Sequence, residues 1–253
     1  MARLVLVKRS RPSKGPRRRA GAALAAATAA VATIASAWGG VALQIKDARA
    51  EIIEVGRRLH ERGLITAAEG NISVRSGRGM LITAGSVSKG QLTPELVFET
   101  DADGRPLNGG RVSSETPMHV AIYRRRPDVR AIVHAHPPAA TAFAVAHMSL
   151  DQPLLAESVL LLGPVPLVDY AAPSTPALAE NVARAMGEGT HAALLANHGA
   201  VSVGESLALA HQRMETLEHI ARVTLLARLL GRAVPLAAAD VETLLRLVGG
   251  PYR

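Results

Sequence analysis

Two short apolar runs that end in histidine constrain this chain more than any other feature. The first reads Ala-Ile-Val-His134-Ala-His136-Pro, and the second, about sixty residues on, reads Leu-Leu-Ala-Asn-His198-Gly. A short apolar run bounded by turn residues reads as a buried strand. A strand alternates faces, so His134 and His136 project from one side while Ala135 points away. Two imidazoles on a stiff strand cover two corners of a metal polyhedron, and His198 is placed to supply a third. Three histidines with an open position are the donor set of a catalytic zinc site, whereas structural zinc sites are closed and usually rich in cysteine. The chain has no cysteine, which leaves imidazole and carboxylate as its strong ligands and fits a reducing compartment.

The formal net charge of +8 invites a nucleic-acid reading, and its distribution refutes it. Residues 1–43 hold eight of the 29 Lys and Arg and no acid, so the remainder carries 21 basic and 21 acidic residues. A neutral domain, in a chain with one Trp, two Phe and three Tyr in all, offers neither a phosphate-tracking stripe nor stacking platforms. Residues 1–43 read as a basic segment followed by an Ala-rich one. Ala35-Ser36-Ala37 imitates a signal cleavage site, but Ala and Thr give the stretch little hydrophobic drive, and it is too short and interrupted for a transmembrane helix. We expect a dispensable extension, disordered, spurious or targeting, ahead of one domain over 44–253, with a cytoplasmic location and no membrane partner.

From Lys46 the pattern is that of an α/β domain. Ala48, Ile52, Val55 and Leu59 fall at helical spacing, and Gly63 is placed to end that helix. Strands are expected at Asn71–Arg75, Met80–Thr83 and Leu96–Thr100, the last running into the turn Asp103-Gly104. Ser114 reads as the N-cap of a helix with Pro117 in its first turn. A strand at Ala131–His134 and a helix over 138–147 follow. Then come a strand near Val165–Val168, a helix capped by Thr175, a strand at Ala192–Ala196, a long helix from Glu205 to Leu230 and a short C-terminal helix.

Three polar clusters accompany the histidines. Glu69-Gly70-Asn71-Ile-Ser73 is a turn feeding a strand, where Gly admits close approach of a ligand and Asn and Ser offer hydrogen bonds; a plain turn explains it equally well. Thr83-Ala84-Gly85-Ser86-Val87-Ser88-Lys89-Gly90 is a hydroxyl-rich loop able to form a backbone nest for an anion. Ser113-Ser114-Glu115 precedes a helix, whose N-terminus attracts phosphate, although an ordinary N-cap accounts for the same residues. Glu115 is the candidate acid–base, since a carboxylate beside a metal can ligate it or serve as a base. His119, one helical turn on, reads as a hydrogen-bonding support for that site. His60, His147, His191, His211 and His219 lack paired spacing and read as surface or helix-face residues.

In this order and spacing, Gly-Asn-Ile-Ser, Met-Leu-Ile-Thr, Ser-Ser-Glu, Met-His-Val-Ala-Ile-Tyr, Val-His-Ala-His and Ala-Asn-His-Gly resemble the class II aldolase/adducin-head family, from about Asp47 to the C-terminus. The resemblance is strongest to its L-fuculose-1-phosphate aldolases. It implies a three-layer α/β/α domain with a mainly antiparallel central sheet, in a homotetramer with active sites at subunit contacts. It also implies a Zn2+ ion on His134, His136 and His198, an acid–base at Glu115, and substrate phosphate held at Gly70, Asn71, Gly85, Ser86, Ser113 and Ser114. The implied reaction is cleavage of a ketose 1-phosphate to dihydroxyacetone phosphate and an aldehyde.

Two departures stand out. The family loop commonly reads Thr-Pro-Ser-Gly or Thr-Pro-Thr-Gly, so Ser86 here must take the backbone geometry the glycine had. The tyrosine that the aldolases lend from a neighbouring subunit has no counterpart in Pro153–Leu162, and Tyr252 matches a second family tyrosine only loosely. The alternatives on the same fold are a ribulose-5-phosphate-type 4-epimerase, which typically has Asp where Glu115 stands, and a sugar-acid phosphate decarboxylase. A methylthioribulose phosphate dehydratase differs around the third histidine. An adducin-like interaction module would have lost the ligands this chain keeps.

Overall fold

The computed structural model describes residues 46–77 and 79–248; the extension at 1–43 and Tyr252 lie outside the described residues. Seven strands form one sheet: β1 (Asn71–Ser76), β2 (Gly79–Thr83), β3 (Val97–Asp101), β4 (Ala131–Ala135), β5 (Leu167–Val168), β6 (Ala192–Leu195) and β7 (Gly199–Gly204). Their order is β3-β2-β1-β4-β7-β6-β5, and every pairing is antiparallel except β5 with β6. The histidine strand β4 therefore lies at the centre, the most rigid place a sheet offers.

Helix α1 spans 46–61. It is followed by α2 (Thr116–Arg125), α3 (Pro138–Val145), α4 (Pro176–Ala185), α5 (Leu207–Leu229) and α6 (Ala238–Val248). Strand alternation divides the apolar side chains between two cores. Ala131, Val133 and Ala135 of β4 join Ile52, Leu59, Phe143, Met214 and Leu217 of α1, α3 and α5 on one face. Ile132 of β4 joins Met118, Ile122, Leu178 and Val182 of α2 and α4 on the other. Each such aliphatic side chain removed from water contributes about 1.5–3 kcal/mol, so both faces of the sheet need a helical layer. This is the expected α/β/α architecture with a mainly antiparallel sheet.

Two local expectations are corrected. Strand β7 stands where the sequence reads as a connection between Ala196 and the long helix. Its residues Gly-Ala-Val-Ser-Val-Gly are small and begin and end in glycine, yet all six are buried, because β4 and β6 flank them and α5 covers them. Buried Ser202 is satisfied by donating to the Ala210 carbonyl at 2.8 Å. Ser114 is exposed and does not cap α2. Glu115 occupies the cap position without a side-chain cap bond, and Ser113 closes the turn. Its Oγ accepts from the Glu115 N–H at 3.3 Å, and its carbonyl accepts from the Thr116 hydroxyl at 2.6 Å.

Candidate metal centre and anion cradle

The register of β4 places His134 opposite Asn71 of β1 and Val201 of β7. His134 Nδ1 lies 2.9 Å from the Ala200 carbonyl. A carbonyl only accepts, so the ring proton belongs on Nδ1 and the Nε2 lone pair faces the site. His136 lies just past the strand on the same side, its backbone N–H bonded to Leu64 O at 3.1 Å. His198 is the last residue of the tight turn between β6 and β7, where Leu195 pairs with Gly199. Asn197 takes φ +54° there, a conformation asparagine tolerates better than most residues. A Cβ on Gly199 would stand 2.5 Å from the His136 ring, so this glycine lets the turn close against its neighbour. The result is a triangle of imidazoles whose ligand nitrogens all lie within 4.8 Å of one another.

Glu115, at the start of α2, faces this triangle. Its Oε2 lies 3.1 Å from His134 Nε2 and its Oε1 3.2 Å from His198 Nε2. Asn71 Nδ2 donates to Oε2 at 2.9 Å, so Asn71 Oδ1 points the other way, to His119 Nε2. His119 Nδ1 is 2.6 Å from Ser73 Oγ, which is 2.9 Å from the Tyr123 hydroxyl. Only one set of donor roles satisfies this chain. Tyr123 donates to Ser73, Ser73 to His119 Nδ1, His119 Nε2–H to Asn71, and Asn71 to the carboxylate. Every bond in the buried row thus orients Glu115, with one Asn71 amide N–H turned to the carboxylate and its oxygen to His119. His119 holds the support position that its place one turn after Glu115 suggests. Ser73, read from the sequence as a hydrogen-bonding residue beside Asn71, takes that part here, while Tyr123, buried on α2, carries no role in the sequence reading.

The electrostatics favour a cation. Burial would raise the Glu115 pKa, but His134, His198 and the Asn71 amide outweigh it and hold the carboxyl well below the usual range. Burial, then the other imidazoles, push His136 down to about 4, and burial and His134 do the same to His198, to about 4. His134 goes the other way: burial opposes its charge, but the Glu115 carboxylate raises its pKa. Burial lowers His119 to about 3, so it stays neutral, as its tautomer requires. Glu115 Oε1 is buried with no hydrogen-bond donor among the described residues. Three imidazole nitrogens converging with an undonated carboxylate oxygen are a ligand set that fits a divalent metal.

The three segments expected to bind phosphate converge on the same site. Gly70 has φ +73°, and a Cβ there would meet the His134 carbonyl at 2.8 Å. Ser86 has φ +58°, the left-handed geometry its displaced glycine predicts. Ala84 bridges Val112, and the Gly85 N–H donates to Arg111 O at 3.1 Å, tying this loop to the Ser113-Ser114 segment. Ser113 is buried, while Ser114 and Ser86 are exposed. Lys89, in the same hydroxyl-rich loop as Gly85 and Ser86, is buried beside them. Among the remaining histidines, His211 is a helix-face residue on the inward side of α5. It is buried, with its Nε2 3.6 Å from Glu215 Oε1.

Comparison with known proteins agrees with this geometry. Residues 50–225 match the family model described as Class II Aldolase and Adducin N-terminal domain. The chain belongs to this family. A methylthioribulose-1-phosphate dehydratase of Methylococcus capsulatus is 35% identical, the match covering 68% of this chain and 89% of the relative. A 3-oxo-tetronate 4-phosphate decarboxylase of Escherichia coli is 35% identical over 69% of this chain and 84% of its own. The crystal structure of an L-fuculose-1-phosphate aldolase from Thermus thermophilus is 40% identical, covers 74% of this chain and 99% of that one, and superposes with a TM-score of 0.66. The family's enzymes include aldolases, dehydratases and decarboxylases, and no helix among the described residues is long and apolar enough to cross a membrane.

Proposed function

We propose that this chain is a zinc-dependent aldolase that cleaves a ketose 1-phosphate, of the fuculose or a deoxy-pentulose type, to dihydroxyacetone phosphate and an aldehyde. The observation that carries the reading is the Glu115 carboxylate held between His134 Nε2 and His198 Nε2, with the Gly70 turn against the His134 backbone and the Ser113 turn leading into Glu115. The 40% identity to the Thermus thermophilus aldolase supports it.

His134, His136 and His198 would hold the metal, with Glu115 beside it. A divalent metal there supplies Lewis acidity toward the carbonyl and hydroxyl oxygens of the three-carbon half. The remaining work belongs to the chain. The backbone at Gly70–Asn71 and Gly85–Ser86, with the Ser113–Ser114 segment, fixes the phosphate and so sets the register of the carbon that reacts. Glu115, ionised and aimed by Asn71, accepts and returns the proton at the carbon bearing the hydroxyl. Burial of Asn71, His119 and His134 keeps water from competing for the same hydrogen bonds. In this reading the enzyme is a cytoplasmic homotetramer with active sites at subunit contacts, acting on a small molecule without nucleic acid or membrane.

The test is a substrate panel offered to metal-assayed protein: ketose 1-phosphates, ketose 5-phosphates, methylthioribulose 1-phosphate and 3-oxo-tetronate 4-phosphate. Release of dihydroxyacetone phosphate, abolished by chelator, supports the aldolase. A rearranged pentose phosphate, loss of water or release of CO2 replaces it by the epimerase, the dehydratase or the decarboxylase.

A further inference from the structure

Lys89 is a lysine where lysine is seldom found. Its residue is 1% exposed, and its ammonium donates to the carbonyls of Ala68 at 3.0 Å and Val87 at 2.6 Å. It forms no ion pair with any carboxylate among the described residues; Glu69 and Glu115 are the nearest acids, and their attraction does not offset its burial. The Glu69 carboxylate is directed elsewhere. It accepts from the Thr66 N–H and hydroxyl and the Ala67 N–H, which closes its own turn. A buried, unpaired ammonium is expensive to maintain, and an apolar side chain would fill the space without that cost.

Its two carbonyl partners show what the charge is near. Ala68 stands two residues before Gly70, and Val87 follows Ser86. The ammonium thus fastens the turn leading to the first anion-binding segment to the loop carrying the second, and Gly85 fastens that loop to the third. The expected phosphate residues Gly70, Asn71, Gly85, Ser86, Ser113 and Ser114 carry no charge of their own, while a phosphate monoester carries close to two negative charges at neutral pH.

We propose that Lys89 is the buried counter-charge of the substrate phosphate, a positioning residue that joins two loops of the cradle and supplies the positive potential beneath it. The inference rests on the sugar-phosphate reading above and adds to it the residue that sets affinity for the anion. Lys89 acts through the loops and the local field, so it governs binding of the phosphate more than the chemistry at Glu115.

The test measures inorganic phosphate binding by calorimetry to the metal-loaded full chain, in wild type, Lys89→Met and Lys89→Arg. Metal content and thermal unfolding are followed for each. Lys89→Met is expected to weaken phosphate at least tenfold with metal content unchanged, and Lys89→Arg to recover most of the loss. With an active sugar phosphate, KM rises more than kcat falls. A folded Lys89→Met that binds phosphate within twofold of wild type overturns the inference while leaving the sugar-phosphate reading intact. A wild type that binds no phosphate overturns that reading itself.

A second measurement does not depend on Lys89→Met folding. Burial lowers the Lys89 pKa to about 8, against the pull of Glu69 and Glu115 and with His134 also nearby. Raising the pH from 7.5 to 9.5 should therefore weaken phosphate by up to about 25-fold more in wild type than in Lys89→Arg, whose guanidinium does not titrate. The titrations of phosphate and metal-bound water are common to both proteins and cancel. Equal pH dependence in the two overturns the proposal.

Discussion

Helix α3 begins two residues after His136, and its first turn is held from outside. Its cap position is Pro137, which has no side-chain oxygen, and Pro138 has no N–H, so Ala139 and Ala140 carry the first donors of the helix. Both are met by Glu218 of α5. Oε2 accepts from Ala139 and Ala140 at 3.0 Å each, and Oε1 accepts from Arg222 Nε at 2.6 Å. Glu218 is buried, whereas Arg222 is 57% exposed. Glu218→Ala would leave two buried helix N–H groups without acceptors, at about 1–3 kcal/mol each. The lost charge at a helix N-terminus adds about 0.5 kcal/mol. Arg222 returns to water at little cost. The expected destabilisation is about 3–5 kcal/mol, against about 5–15 kcal/mol for a domain. Glu218→Gln keeps one carbonyl acceptor and should cost about half as much. Because the freed turn carries His136, metal affinity should also fall by about tenfold to a hundredfold, as for the loss of an outer-sphere support. Urea unfolding of metal-free protein measures the first effect, and chelator competition the second. A Glu218→Ala protein destabilised by under about 1 kcal/mol, or one that holds metal as tightly as wild type, refutes the reasoning.

Four further outcomes follow from the site. Glu115→Gln should retain stoichiometric metal but lose solvent exchange of the substrate's carbon-bound proton, followed by NMR in deuterated buffer; full exchange would remove Glu115 from the role of base. Ser73→Ala leaves His119 Nδ1 without its donor and should cost about 1–3 kcal/mol. It should also lower kcat with KM nearly unchanged, and the opposite split would disconnect the row from Glu115. Ser86→Gly relieves a left-handed serine and, after the entropy of the added glycine, should stabilise by about 0.5 kcal/mol, read from the unfolding midpoint. His119 takes its proton near pH 6.5 when unfolded but only near about 3 when folded. Stability is therefore full above pH 6.5 and declines as pH falls, by about 2 kcal/mol at pH 5 from this group alone. Denaturant titrations of wild type and His119→Gln at both pH values check this, since the other titrating groups are common to the two proteins, and an equal loss of stability in both would refute it.

The strand that carries His134 and His136 was legible because its apolar run is bounded and its two histidines share a parity. Asn71, Ser113 and Glu115 stood out because polar residues next to glycine or at a helix start are conspicuous. What stayed hidden has no local signature. β7 is composed of small residues, and burial between β4 and β6 makes it a strand, so propensity alone could not report it. Tyr123 looks ordinary, and the partner of Ser73 stays unknown, until β1 and α2 are brought together. Glu218 lies 78 residues from the amide of Ala140 it serves, and nothing near it in sequence reveals a capping role. Ser86 was the reverse case. A serine one place after a displaced glycine suggested left-handed geometry, and the backbone adopts it.

The relatives named above catalyse cleavage, decarboxylation and dehydration, and the geometry explains how one site can serve all three. Breaking a carbon–carbon bond beside a carbonyl, expelling CO2 from a 3-oxo acid, and removing a proton so that an adjacent hydroxyl departs all place negative charge on a carbonyl oxygen. Each reaction needs that charge stabilised, a carboxylate for one proton, and an anchor that keeps a phosphate-bearing chain in register. In the reading proposed above, His134, His136, His198, Glu115 and the loops joined by Lys89 would supply those needs on the phosphate-bearing side of the substrate. The choice of reaction therefore falls to whatever meets the other end, where the bond breaks. The resemblance places a neighbouring subunit's tyrosine at that end, and the stretch Pro153–Leu162 of this chain has none to offer. Within the aldolase reading, the chain should differ from the fuculose enzymes in its aldehyde more than in its affinity for dihydroxyacetone phosphate.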